Sequence, residues 1–244
     1  MRVIHPYFDG LYLDQIDSDL CARVFSDLRE VRGIKNASVN RYIKLFKRLM
    51  GLCERKGWID SAPHVDLLRD DSERVNWITE GQAKRLIAVL PPKHAAAVRF
   101  ALATGLRRGN IYECLTWDCV DIDRRIAWFE PGDMKSGRPH SIPLNADALD
   151  VLEGQRGLDL VHVFPYRPLI NRQWKKFVKQ AHLNGFRFHD LRHTWATWHV
   201  QRGTPLEHLM KLGDWSSHKM VLRYAHYSVR DLAPHADRLT LDKP

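Results

Sequence analysis

From Val39 to Cys53 the apolar residues Val39, Tyr42, Ile43, Phe46, Leu49, Met50 and Cys53 recur along one side of the chain. A period near 3.6 residues predicts an amphipathic helix, and the hydroxyl of Ser38 is suited to cap its first turn. Arg41, Lys44, Lys47, Arg48 and Arg55 fall on the opposite side. There they form either a solvated face or, against a polyanion, a surface that tracks phosphates. The pattern lapses at Asp60 to His64 and stays polar through the charged run Arg69 to Arg74, which reads as a linker. Thr79, with Glu80 in the first turn, opens a second helix that Pro91 and Pro92 stop, and Ala95 to Leu102 carries a third toward Thr104 and Gly105.

Between Trp117 and Leu144 the period changes. Val120 to Ile122, Ile126 to Phe129 and His140 to Leu144 read as short strands separated by Asp123-Arg124 and by the stretch from Pro131 to Pro139. That spacing predicts a small antiparallel sheet, with Lys135 in its second turn beside Gly137. From Leu149 onward the pattern is mostly helical; Thr204 and Pro205 open one helix and Gly213 closes it. The elements give a mainly α chain with a small antiparallel β-sheet, an α+β class. They divide into a small helical domain over 1–70, a linker over 71–76 and a larger domain over 77–244.

A chain of 244 residues can bury the cores of two modest domains. Its 38 Lys and Arg against 29 Asp and Glu favour a polyanionic partner without proving one. Cys21, Cys53, Cys114 and Cys119 form no C-x-x-C pair, which argues against a zinc knuckle and a disulfide framework; reduced, buried thiols are expected. The first residues hold no apolar run of signal-peptide length and no stretch approaches a membrane span, so a cytoplasmic protein with no membrane association is expected.

Candidate chemistry gathers in four segments: Thr104-Gly105-Leu106-Arg107, the Lys135 turn, His189-Asp190-Leu191-Arg192, and the stretch from Leu212 to His226 that holds Trp215 and Tyr224. Glycine ahead of Arg107 lets the backbone come close to a ligand. His189 and Arg192 share a helix face, with Leu191, Trp195 and Trp198 toward the core. Each guanidinium can fork onto two phosphate oxygens, a partly desolvated lysine can give up a proton, and a phenol among cations can become a nucleophile. Each residue alone has a plainer reading: surface arginine, solubilising lysine, packing tryptophan, buried structural tyrosine. His189 and His193 also stand at the spacing of a metal-binding pair, but the adjacent Glu and an obvious third ligand are missing, and neither a metal nor another cofactor is expected.

The order Arg107, Lys135, His189 with Arg192, Trp215, Tyr224, and the wording Ala103 to Arg107, His189 to Thr194 and Met220 to His226, resemble the tyrosine recombinases, the phage integrase family. The resemblance covers most of the chain, from about 35 to 228. It implies a DNA recombinase in which Tyr224 attacks the scissile phosphate to form a 3′-phosphotyrosyl link. Arg107 and Arg192 then clamp the phosphate, Lys135 protonates the departing 5′ oxygen, His189 manages the nucleophile's proton, and Trp215 stands where the family carries His or Trp. It implies double-stranded DNA as partner, with Arg41, Lys44, Lys47 and Arg48 on its phosphates. A homo-tetramer on DNA follows too, with room for an accessory DNA-bending protein. Three residues after Arg107 the family usually has an acid; here Asn110 brings no charge. Asp214, an anion beside Trp215, has no evident role. The small domain resembles a shortened core-binding domain with no arm-binding domain ahead of it. A DNA-binding remnant of a mobile element that no longer recombines, or a type IB topoisomerase, are the alternatives.

Overall fold

The computed structural model describes residues 3–69 and 75–227, and the chain divides into two compact units, Met1–Arg74 and Val75–Pro244. In the smaller unit α1 (His5–Phe8), α2 (Ser18–Glu30) and α3 (Asn36–Arg55) enclose a core of Ile4, Cys21, Phe25, Leu28, Val39, Ile43, Phe46, Met50 and Val65. Asp17 caps α2 by accepting from Leu20 N at 2.7 Å. Phe46 anchors the packing, stacked on Phe8 at 5.3 Å and edge-on to Phe25 at 5.8 Å.

α3 departs from its sequence pattern in instructive ways. It begins at Asn36 rather than after Ser38. The added turn places Asn36 one turn above Asn40, and both amides donate to the segment that runs back along α3, Asn36 to Arg69 O and Asn40 to Leu68 O, each at 2.8 Å. Asn40 Oδ1 accepts from Leu68 N in return, which buries a polar residue with its bonds satisfied. Leu49, placed by spacing on the core face, is 44% exposed. The stretch after Asp60 is packed rather than loose, since Val65 is buried and its carbonyl accepts from Lys47 Nζ at 3.0 Å. Residues 71–74 of the predicted linker lie outside the described residues, while Asn76 belongs to the larger unit, donating to Asp190 Oδ2 at 3.1 Å.

The larger unit is built round α5 (Pro92–Thr104), whose Ala97, Val98, Phe100 and Ala101 are buried. Ahead of it, α4 (Glu80–Val89) is held by a reciprocal cap: Gln82 N donates to Thr79 Oγ1 and Thr79 N to Gln82 Oε1. Strands β1 (Val120–Asp121), β2 (Ile126–Phe129) and β3 (His140–Pro143) pair antiparallel in the order β1-β2-β3. Ala127, Phe129 and Ile142 face the core while Ile126 and Trp128 face outward, the alternation that fixes the register. α6 (Ala146–Gln155), α7 (Asn171–Gln180), α8 (Asp190–Gln201), α9 (Leu206–Leu212) and α10 (His218–Leu222) complete the unit. Among the described residues the cysteines are free, and no helix is long and apolar enough to cross a membrane.

Two glycines admit tryptophan rings at close range. Gly105 ends α5 in the left-handed region, φ 68°, and a Cβ there would lie 2.3 Å from the Trp195 ring of α8. A Cβ on Gly213, which ends α9, would lie 2.3 Å from the Trp215 ring. Both positions require a backbone without a side chain so that a tryptophan can close on it.

Candidate active site

α8 carries the centre of the site. Arg192 is buried, and its Nη1 donates to Gly105 O at 2.8 Å while Nη2 donates to Gly213 O. Its guanidinium lies 4.4 Å over the Trp215 ring, which packs in turn against Trp195 and Tyr224. The same glycines that admit the tryptophans therefore supply the carbonyls that fix the arginine. Burial, with Arg107 nearby, lowers the Arg192 pKa below its ordinary value, but a guanidinium stays charged at neutral pH.

A cleft of about 260 Å³ opens here, lined by Arg107, Lys135, His189, Arg192, Trp215 and Tyr224 together with Ser136, His193, Asp214, Ser216, Met220 and Arg223. The sequence-predicted residues of the larger unit thus meet in one place, although they come from the end of α5, the β2–β3 connection, α8 and the stretch after α9. Arg41, Lys44, Lys47 and Arg48 lie on the smaller unit, exposed along α3.

Tyr224 is 1% exposed. It lies beyond α10 rather than on it, because α10 ends at Leu222 and the next turn closes by Tyr224 N donating to Val221 O at 2.9 Å. The phenol meets His193 Nδ1 at 2.6 Å, a contact that sequence reasoning misses because it takes His193 only as a possible metal-pair partner of His189. Burial, aided by His189, pushes the His193 pKa down to about 4. A neutral imidazole is the form that accepts the phenolic proton. The i, i+4 spacing of His193 behind His189 is the available signal, and it points to the wrong partner. His189 stands at the exposed rim; partial desolvation lowers its pKa, and the charges of Arg192, Arg107 and Lys135 push the same way.

Asp214, which the sequence left without a role, and Asn110, which stands where the resemblance expects an acid, part company in the structure. Asp214, held at φ 50°, puts a largely buried carboxylate 3.9 Å from Arg107 Nη1. It is the anion beside Arg107. Asn110 is buried elsewhere, its amide donating to Asp133 O at 2.9 Å. Arg107, Lys135 and Arg192 against one Asp214 leave the cleft electropositive, and the mutual repulsion of Arg107 and Arg192 is a standing cost that a bound anion relieves.

Comparison with known proteins places the chain among relatives. The family model described as "Phage integrase family" matches residues 76–230. The integrase of Salmonella phage P22 is 36% identical over 218 residues, covering 81% of this chain, and the chain spans 56% of that relative's length. Among solved structures, the integrase of the Tn1549 transposon in complex with a circular intermediate DNA superposes with a TM-score of 0.77 at 17% identity, over 98% of this chain and 92% of that one. A lambda integrase dimer bound to a core site gives 0.74 at 18% identity, over 90% and 86%. The catalytic domain of bacteriophage HP1 integrase gives 0.53 at 23% identity, over 70% of this chain and 100% of that one. At these identities the structural matches establish the fold.

Proposed function

The chain belongs to the phage integrase family, and on that premise we propose that it is a site-specific DNA recombinase that cleaves and rejoins strands through Tyr224. The observation that carries the proposal is the cleft itself: a phenol hydrogen-bonded to a neutral imidazole, within a set of cations that outnumbers the one carboxylate, Asp214, among the described lining residues. A scissile phosphate supplies the balancing anion.

In this mechanism Tyr224 Oη attacks phosphorus as its proton passes to His193 Nδ1, with His189 at the rim holding the phosphate or relaying the proton. Arg192, fixed by two carbonyls and the Trp215 plate, presents its remaining N–H donors to a non-bridging oxygen; Arg107, oriented by Asp214, takes the other. Trp215, which lines the cleft, has an indole N–H to offer the phosphate. The bond to the 5′ oxygen breaks, its electron pair stays with that oxygen, and Lys135 gives it a proton. A 3′-phosphotyrosyl link and a free 5′-hydroxyl result. Attack by a partner strand's hydroxyl reverses the step, so one phosphodiester replaces another and neither ATP nor a metal is consumed. The DNA complexes of the Tn1549 and lambda integrases support duplex DNA as the partner. A tetramer synapsing two duplexes, assisted where needed by a DNA-bending protein, and a cytoplasmic site of action complete the proposal. So does a division into a DNA-binding domain over 1–70, with the α3 cations on phosphates, and a catalytic domain over 77–244.

One observation favours a second reading, a DNA-binding remnant without strand exchange: Tyr224 is almost wholly buried. A nicked suicide substrate separates the two, because an active enzyme accumulates covalent protein while a remnant only shifts mobility. Wild type should accumulate the adduct with chelator present, and Tyr224→Phe should form none while binding DNA as before. Absence of adduct from wild type would favour the remnant.

A further inference from the structure

Asn110 is 5% exposed and begins a π-helical turn, Asn110–Cys114, three residues after Arg107. Leu115 N donates to Asn110 O at 2.9 Å and Ile111 N to Arg107 O at 3.2 Å, so the backbone on either side is committed. Its side chain reaches across to the β2–β3 connection, where Nδ2 donates to Asp133 O at 2.9 Å and lies 3.4 Å from Met134 Sδ. That connection is two successive turns. Asp133 N donates to Glu130 O at 3.0 Å, Asp133 Oδ2 accepts from Glu130 N at 3.1 Å, and Gly137 N donates to Met134 O at 3.0 Å. Met134 is buried and Lys135, the next residue, is exposed on the cleft. Asn110 therefore ties the turn two residues before Lys135 to the body of the unit, and it does so by donating a hydrogen bond.

We infer that Asn110 is a positioning residue for Lys135: its amide hooks the Asp133 carbonyl and so fixes where the Lys135 ammonium enters the cleft. This rests on Lys135 acting as general acid toward the 5′ oxygen. The role requires a donor. An ionised carboxylate of the same shape would face the Asp133 carbonyl with a second acceptor, and both would be left unsatisfied in a buried place. Asp214 already provides the anion for Arg107, so the residue at 110 is released from any charge-pairing duty.

The test compares Asn110→Asp and Asn110→Ser with Lys135→Ala on nicked duplexes carrying either an ordinary 5′ oxygen or a 5′-bridging sulfur at the scissile phosphate. A thiolate leaves without protonation. Misplacing a catalytic group by about 1 Å costs on the order of 100-fold, so both Asn110 variants should slow oxygen cleavage by roughly 10- to 100-fold, Asp more than Ser, and sulfur cleavage by less than about 3-fold. Added to Lys135→Ala, either should slow oxygen cleavage no further, since groups acting through one another are not additive. The sulfur-to-oxygen ratio is internal to each protein, so a reduced folded fraction lowers both rates together and leaves it unchanged; if Asp prevents folding, Ser gives the same reading. Sulfur rescue of Lys135→Ala but not of the Asn110 variants overturns this inference alone. Equal losses for Lys135→Ala on both substrates overturn the general-acid reading and the inference with it.

Discussion

The cleft of the larger unit and the outer face of α3 are both cationic, yet they are built in opposite ways. In the cleft the charges are set by the fold: Arg192 is held by two carbonyls and an indole, Arg107 stands 3.9 Å from the Asp214 carboxylate, and Lys135 leaves a turn that Asn110 fastens. On α3, Arg41, Lys44, Lys47 and Arg48 are exposed, and Lys47 is tethered to Val65 O. Tied charge costs stability and is useful only where geometry must be kept through a reaction. Solvated charge costs little and adds affinity by number. The cleft should therefore fail sharply at single substitutions, and α3 should weaken by degrees.

The largest effect is expected at Arg192. Lysine has one nitrogen and cannot span Gly105 O, Gly213 O and a phosphate together, so Arg192→Lys should slow cleavage by roughly 100- to 1000-fold, as removal of a fixed transition-state donor does. A drop under about 10-fold would mean that the arginine is a structural brace only. Single-turnover cleavage of saturated substrate reads this directly.

A smaller effect concerns pH. His193 is pushed from an ordinary 6.5 down to about 4, so the folded protein binds fewer protons than the unfolded chain between those values. Its contribution to stability is fully present above pH 6.5 and is lost as pH falls toward 4. Thermal unfolding should show the melting temperature falling across that window, and His193→Asn should recover roughly 2–8 °C of the fall. The acid limb of cleavage should correspondingly lie below 6.5. A limb at or above 6.5, or a fall in melting temperature unaltered in His193→Asn, would show that the ring is not held neutral against Tyr224.

The smallest single-site effects belong to α3. Replacing Arg41, Lys44 and Arg48 by Gln should lower the slope of log K against log salt by roughly 0.9 for each phosphate no longer neutralised, two units or more in all, equally for specific and random DNA. An unchanged slope would leave this face in water. Lys47→Gln should in addition loosen the segment it holds, by about 1 kcal/mol, the net contribution of a typical hydrogen bond.

The same contrast explains what was legible in the sequence. Local devices were readable because their signals are local: the helix start at Thr79 with Glu80 in its first turn, the short strands between Val120 and Pro143, the Gly213 stop. The order of cationic residues located the cleft, since the motif names residues that chain distance separates. What tertiary contact decides was not readable. The start of α3 moved to Asn36 because Asn36 and Asn40 bind a segment some thirty residues away in sequence. The partner of His193 is 31 residues distant, and Asp214 acquires its role only because the chain after Gly213 returns to Arg107. Asn110 reads in sequence as a missing charge; its donor role depends on a turn 23 residues later.

The central claim is that Tyr224 carries the DNA during exchange. Trapping the covalent complex on a nicked substrate, digesting protein and DNA, and sequencing the nucleotide-bearing peptide by mass spectrometry tests it most directly. The account predicts a 3′-phosphonucleotide on Tyr224; the same mass on Tyr227, or on any other residue, would contradict it.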